Sequence, residues 1–267
     1  MRSGQPSGFE TITEDPHYYV DFLDERTTIP GELVAKRTIT RLLDLSPGLA
    51  VLDVGSGTGV DAIEVAKAVG VDGRVVGVDK SAAMVAEARQ RAVASGVPVE
   101  FVTGDAGALE FPDASFDRVR TERMLIHVVD PEAAVRELVR VTKPGGRVVA
   151  SDIDGGTMFL NSANTSLAEA LALRITHGLA QGWMGRRQQR YLVEAGLVDV
   201  RVVPTVIMNS VAFTRIVCGG LLAGMIAEDT TSTDEVDAFW AELERGEREG
   251  WLCSGVTCFT VAGTKPR

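Results

Sequence analysis

Apolar residues recur at helical spacing from Tyr18 to about Leu45, at Phe22, Leu23, Leu33, Ile39, Leu42 and Leu43, with a break near Pro30-Gly31. After the turn Ser46-Pro47-Gly48 the rhythm changes. Short apolar runs now alternate with amphipathic stretches: AVLDVG, a helix over 60–69, RVVGVD, a helix over 81–95, VEFVTGD, FDRVRTERM, a helix over 131–141, and RVVASDID. Punctuation at Asp72-Gly73, Gly96, Pro112 and Pro144-Gly145-Gly146 separates them. Strand–helix alternation of this kind predicts an α/β fold with a parallel, doubly wound sheet and ligands at the strands' C-terminal ends. The alternation then lapses. Residues 156–195 read as helix, 197–208 as a strand, 211–227 as a glycine-rich apolar helix, 233–249 as an acidic helix and 255–264 as a final strand. Residues 1–15 show no periodicity and are expected to be disordered. No internal repeat or low-complexity tract stands out. The expected organisation is one structural domain: an N-terminal helical lid over 1–46, a cofactor-binding core over 47–155, and substrate-side helices with the last strands over 156–267.

Composition narrows the partners. The 267 residues suffice for a full core, and a formal net charge of −10 argues against nucleic acid, whose phosphates select basic surfaces. The densest basic run, GRRQQR at 185–190, reads as one polar face of a helix. Three cysteines, Cys218, Cys253 and Cys258, form neither a disulfide framework nor a metal-binding spacing, so no metal is expected and a reducing, cytoplasmic setting fits. The N-terminus lacks the apolar core of a signal peptide, and the run IVCGGLLAGMIA at 216–227 is about half of what a bilayer requires. Neither a membrane nor a nucleic acid is an expected partner, and the chain is expected to work as a monomer or homodimer.

The chemistry concentrates in VLDVGSGTG, Val51–Gly59, and in Asp79 at the end of RVVGVD. Glycines at 55, 57 and 59 let the backbone turn tightly and expose main-chain N–H groups to a ligand. Twenty positions after Gly59, a carboxylate at the next strand end can accept both hydrogen bonds of a ribose diol. A nucleoside cofactor follows. A dinucleotide fingerprint would place its third glycine three residues after Gly57, where Val60 stands.

On these and later segments the chain resembles the class I S-adenosylmethionine-dependent methyltransferases, in the small-molecule branch of ubiquinone and menaquinone biosynthesis and natural-product tailoring. VLDVGSGTG is similar to the family's first motif, GRVVGVDKS to its second, and FVTGDAGALEFPDASFDRV to its third and fourth. HVVDPEAAVRELVRVTKPGGRVVASD resembles the segment that closes the family core, and GRRQQRYLVEAGLVDV and VTCFTVAGTKP its last helix–strand units. The resemblance implies a Rossmann-like, mostly parallel seven-stranded sheet with N-terminal helices and a helical substrate-side insertion. It implies S-adenosyl-L-methionine as cofactor, with its amino-acid end at Asp53, Gly55, Ser56 and Gly57. Asp79 would take the ribose, Lys80 the adenosine edge, Asp105 the adenine amine, and Ala106 the flat of the ring. Arg120 and Thr121 end the fourth strand toward the sulfonium; a positive Arg120 there needs the methionine carboxylate or an adjacent acid as partner. Tyr19, with His17 and Tyr18, belongs to a segment that could fold over the cofactor.

Methyl transfer needs alignment in a dry site, and a base only where the acceptor must lose a proton. His127, after the fourth strand, and His177, in the region expected to enclose the acceptor, are the catalytic candidates, and Asp152 or Asp154 could bind acceptor or support His127. Apolar residues on the substrate side (Met158, Phe159, Trp183, Met184, Phe213, Met225 and Trp251) favour a small-molecule acceptor with a hydrophobic surface. O-methylation of such a metabolite, in specialised metabolism, is the expected activity. The alternatives are a non-methylating enzyme that binds the same cofactor, such as a cyclase, and an NAD-dependent oxidoreductase, for which no Tyr-x-x-x-Lys is found.

Overall fold

A computed structural model describes residues 16–267, and side chains from Tyr19 onward. The disorder expected for 1–15 and the side chains of His17 and Tyr18 lie outside the described residues. Two helices open the chain, α1 (Pro16–Arg26) and α2 (Pro30–Leu43). Pro30 occupies the first turn of α2, where its missing N–H costs nothing, and Asp44 ends that helix in the left-handed region with φ 52°.

The core then alternates β1 (Ala50–Val54), α3 (Val60–Val69), β2 (Arg74–Asp79), α4 (Ala82–Ser95), β3 (Glu100–Thr103), β4 (Phe116–Glu122), α5 (Pro131–Val141) and β5 (Thr142–Leu160). The chain continues through α6 (Thr165–Gly178), α7 (Met184–Glu194), β6 (Val198–Met208), α8 (Val211–Ala227), α9 (Thr233–Glu249) and β7 (Ser254–Thr264). The seven strands lie in the order β3-β2-β1-β4-β5-β7-β6. β1 to β5 are parallel neighbours, and β7 runs antiparallel between β5 and β6. This is the expected doubly wound, mostly parallel sheet.

Strand pleating divides the core. Leu52, Val54, Val119, Val148 and Ala150 pack toward Leu138 of α5 and Leu192 of α7. Val51 and Val75 pack toward Ile63, Ala66 and Val85 of α3 and α4, while Ile39 and Leu43 of α2 cover Val149 and Ala262. The substrate-side helices have a core of their own, in which Leu171, Cys218, Leu222, Phe239 and Trp240 meet. Among the described residues no helix is long and apolar enough to cross a membrane.

One expectation needs correction. Residues 156–195 are not one helix: β5 runs on to Leu160, pairing with Ser254 of β7 beyond an irregularity between Asp154 and Phe159, and a break at 179–183 separates α6 from α7. Gly155 and Gly156 do not stop the strand. They let it pass under α6 and α7, since a Cβ at Gly155 would stand 2.8 Å from Thr176 Oγ1 and one at Gly156 2.8 Å from Trp183 Nε1.

Candidate functional site

A cavity of about 600 Å³ opens above the C-terminal ends of the parallel strands. Its floor is the loop after β1 (Gly55, Gly57), Asp79 at the end of β2, the turn after β3 (Asp105, Ala106), and Glu122, Arg123 and Met124 after β4. Tyr19, Phe22, Leu23 and Arg26 of α1 form the roof. A second cavity of about 70 Å³ shares Leu23, Arg26, Gly55, Gly57 and Glu122 with it and reaches down to Asp53, Ser56, Asp61 and Arg120.

The glycine loop is folded by left-handed backbone at Gly55 (φ 77°), Gly57 (φ 52°) and Gly59 (φ 79°). The N–H groups of Gly55 and Ser56 donate to Val78 O at 2.7 and 2.9 Å. Gly57 N–H donates to Asp79 Oδ2 at 2.8 Å, and Ser81 N–H to Asp79 Oδ1 at 2.9 Å. Asp79 therefore braces the loop while it lines the cavity, and each oxygen keeps a further lone pair for a ligand hydroxyl. Burial raises its pKa above the ordinary carboxylate value despite these donors. Asp105 accepts from Gly107 N–H at 2.8 Å, with Lys80 Nζ 4.0 Å away.

The small cavity is densely charged. Arg120 approaches Asp53 at 3.4 Å, Asp61 at 3.4 Å and Glu122 at 2.7 Å; Lys36 pairs with Asp61 and stands 3.5 Å from Glu122. Burial lifts the Asp53 carboxyl to about 6 against the pull of Arg120. Two atoms here, Ser56 Oγ and Arg120 Nε, are buried with no hydrogen-bond partner. Orphaned donors beside three carboxylates suit a ligand that carries a carboxylate and an ammonium together. The amino-acid end of the cofactor implied by resemblance is such a ligand, and the residues present fit it.

A second ionic group walls the large cavity. Glu32 of α2, 2% exposed, takes Arg26 at 3.2 Å and Arg123 at 2.6 Å. Burial alone would raise the Glu32 carboxyl, but Arg123 and Arg26 outweigh it and hold it at about 2. His127 lines the same cavity at the end of a short 3-10 turn, Leu125–His127. Burial, reinforced by Arg26 and Arg123, lowers its imidazole to about 4, so the ring is neutral at ordinary pH. Burial also raises the Tyr19 phenol.

The structure thus brings Tyr19, Gly55, Gly57, Asp79, Lys80, Asp105, Ala106 and His127 around one cavity, and Asp53, Ser56 and Arg120 around its annex. Arg120 is met by acids, as its charge requires. Two expected residues stand elsewhere. Thr121 is fully buried on the α5 side of the sheet with Val119 and lines neither cavity. His177 is exposed on α6, edge-on to the Trp183 ring at 5.1 Å. Asp152 and Asp154 are wholly buried and line neither cavity; Asp154 is held by Arg186. Of the expected substrate-side apolar residues, Met158 and Phe213 line the cavity, whereas Met184 and Met225 belong to the core. Arg26, Glu32, Lys36, Asp61, Arg123 and Asn209 were not anticipated. Their only sequence signal was a charge or amide within or just beyond a helix or strand, common on any surface.

A methyltransferase-domain family model matches residues 51–146. An uncharacterized 37.1 kDa protein of a Streptomyces fradiae transposon is 32% identical over 246 residues, covering 91% of this chain and 65% of that one. The demethylmenaquinone methyltransferase of Geobacillus stearothermophilus is 32% identical over 160 residues, 60% of this chain and 68% of that one. The chain spans between 24% and 65% of the length of the curated relatives it matches first. Among solved structures, a putative methyltransferase from Bacillus halodurans superimposes with a TM-score of 0.60 at 20% identity, over 87% of this chain and 99% of that one, which is a likeness of fold.

Proposed function

From the premise that the chain belongs to the class I S-adenosylmethionine-dependent methyltransferases, in their small-molecule branch, we propose that it O-methylates a small, partly hydrophobic metabolite. Bound at the glycine loop, S-adenosylmethionine supplies an electrophilic methyl group. In this reading Asp79 accepts from the ribose diol, Lys80 stands at the adenosine edge, and Asp105 and Ala106 meet the adenine. Asp53, Asp61 and Glu122 neutralise the ammonium, and Arg120 Nε–H and Ser56 O–H donate to the carboxylate. Tyr19 and Leu23 on α1 cover the cofactor and exclude water, which strengthens the charge contacts beneath.

The acceptor would lie across the rest of the cavity, against Ile153, Met158, Ile207 and Phe213. Neutral His127 accepts a hydrogen bond from the acceptor hydroxyl and turns an oxygen lone pair toward the methyl group. With its pKa near 4 it is a weak base, and it takes the proton only as the oxygen gives up electron density to the new C–O bond. An acidic hydroxyl, such as a phenol or enol, suits that arrangement best. Orientation is the larger contribution, from a ceiling of roughly 7–11 kcal/mol.

The observation that carries the reading is the single cavity in which the glycine loop and Asp79 face a neutral histidine and an apolar wall. Incubation with S-adenosylmethionine and a panel of phenols tests it. Acceptor-dependent release of S-adenosylhomocysteine with a methyl ether in the mass spectrum is expected. A product methylated on carbon or nitrogen would refute the O-methylation, and cofactor binding without any turnover would refute methyl transfer.

A further inference from the structure

The part of the cavity contributed by residues after Ala150 is apolar, with one exception. Among the described lining residues of that part, Asn209 alone carries a polar side chain. It follows the last residue of β6, between Ile207 and Phe213, and is 8% exposed. Its Oδ1 is buried without a hydrogen-bond partner. A buried amide oxygen left unpaired is costly, and a leucine of similar size would fill the same space without that cost.

The local architecture does not use this side chain. The first turn of α8 is capped by Ser210, whose Oγ accepts from Phe213 N–H at 3.1 Å, and Val211 N–H donates to Glu247 Oε1 at 2.9 Å. Asn209 is tied down only through its backbone N–H, which donates to Ser254 O at 2.8 Å. That bond holds the residue in register and leaves the amide facing the cavity. β5 and β7 separate it from β4 and the His127 turn, so it stands well away from the proposed reacting atom.

We propose that Asn209 is a specificity-determining residue that hydrogen-bonds a second hydroxyl, carried on the acceptor at the end remote from the methylated oxygen. An amide both accepts and donates, so a hydroxyl satisfies it whichever way the group is turned. The acceptor class is then a flat or compact apolar body with a polar group at each end, one methylated beside His127 and one read by Asn209. A purely hydrocarbon tail would leave the amide buried and unpaired and is selected against. This rests on the reading that acceptor and cofactor share the cavity.

A rigid pair of probes tests it: 2-naphthol and 2,6-dihydroxynaphthalene, which differ by one remote hydroxyl. Each is titrated calorimetrically into the full chain with and without S-adenosylhomocysteine, whose own binding is measured first. The wild type is expected to bind the diol at least tenfold more tightly than 2-naphthol. Asn209→Leu and the smaller Asn209→Ala are expected to lose that preference through weaker diol binding, with 2-naphthol and S-adenosylhomocysteine affinities kept and no fall in Tm for Asn209→Leu. Equal binding of the two naphthols by the wild type, or a preference that survives both substitutions, overturns the proposal. A fall in Tm for Asn209→Leu with the preference intact assigns the amide a structural role and also overturns it. Absence of S-adenosylhomocysteine binding would instead count against the shared-cavity reading, and the titrations without it still decide the role of Asn209.

Discussion

His127 offers the sharpest single test, because its environment sets both its chemistry and a stability signature. Lowering an imidazole from 6.5 to about 4 means that protonating it in place costs roughly 3 kcal/mol. The folded-state value lies below the unfolded one, so as the pH falls the unfolded chain takes up this proton first. The folded state therefore loses stability from pH 6.5 down to about 4, and at pH 5 the loss integrates to about 2 kcal/mol relative to pH 7.5. His127→Gln keeps a hydrogen-bonding group and removes the titration. Urea unfolding of both proteins at pH 7.5 and pH 5 should show the variant gaining about 2 kcal/mol relative to wild type at the lower pH. Contributions from Asp53, Glu32 and other acids cancel in that difference. The chain has three histidines, so carbon-13 imidazole resonances can be assigned by substitution, and the His127 ring should stay neutral at pH 5. Titration of that ring between pH 6 and 7, or an identical pH dependence in the variant, would refute the reasoning.

Other outcomes follow from the same ionic architecture. In the proposed binding mode Asp53, lifted to about 6, holds the cofactor ammonium only when ionised, so the Kd for S-adenosylmethionine should rise about tenfold for each pH interval of one below 6, and Asp53→Asn should flatten that slope in calorimetry. Glu32→Gln removes the buried carboxylate that Arg26 and Arg123 share, leaves Arg26 only Glu122 at 3.7 Å, and should cost about 3–5 kcal/mol at pH 7 by urea unfolding. Because Glu32 is held at about 2, its contribution is full above the unfolded value of 4.5, and the gap to the variant should narrow as the pH falls toward 2. Gly59→Ala forces a side chain onto a backbone with φ 79° and sets its Cβ 2.6 Å from Phe101 Cζ. About 1–3 kcal/mol of destabilisation should appear in the same assay, and an unchanged midpoint would contradict the geometry.

Features encoded within one loop or one strand were readable in the sequence. Alternating apolar runs gave the parallel strands, and the glycine loop with Asp79 gave the floor of the large cavity, since these residues act through backbone geometry at fixed spacing. The ionic groups were not readable. Glu32 and Arg123 stand 91 positions apart, and Lys36 and Asp61 25 apart, and only the folding of α2 against the sheet brings them together. Thr121 misled because Arg120, its neighbour, faces the cavity annex and strand pleating sends the next side chain the other way. His177 misled because helical periodicity leaves open which face of α6 meets the cavity. The run SDIDGGTMFL read as a strand ending at Asp154 with a helix from 156, whereas β5 continues to Leu160 and its two glycines accommodate the crowding of Thr176 and Trp183.

In the proposed function the methyl donor sits on the glycine loop with its ribose at Asp79, beside the acceptor. Calorimetric titration of S-adenosylhomocysteine into wild type and Asp79→Asn, with NAD as the competing ligand, tests it most directly. Saturable binding to the wild type is expected, with no competition by NAD and a loss of about tenfold or more in the variant, the size expected for a hydrogen bond to a charged group. Equal affinity in the two proteins, or displacement by NAD, would contradict it.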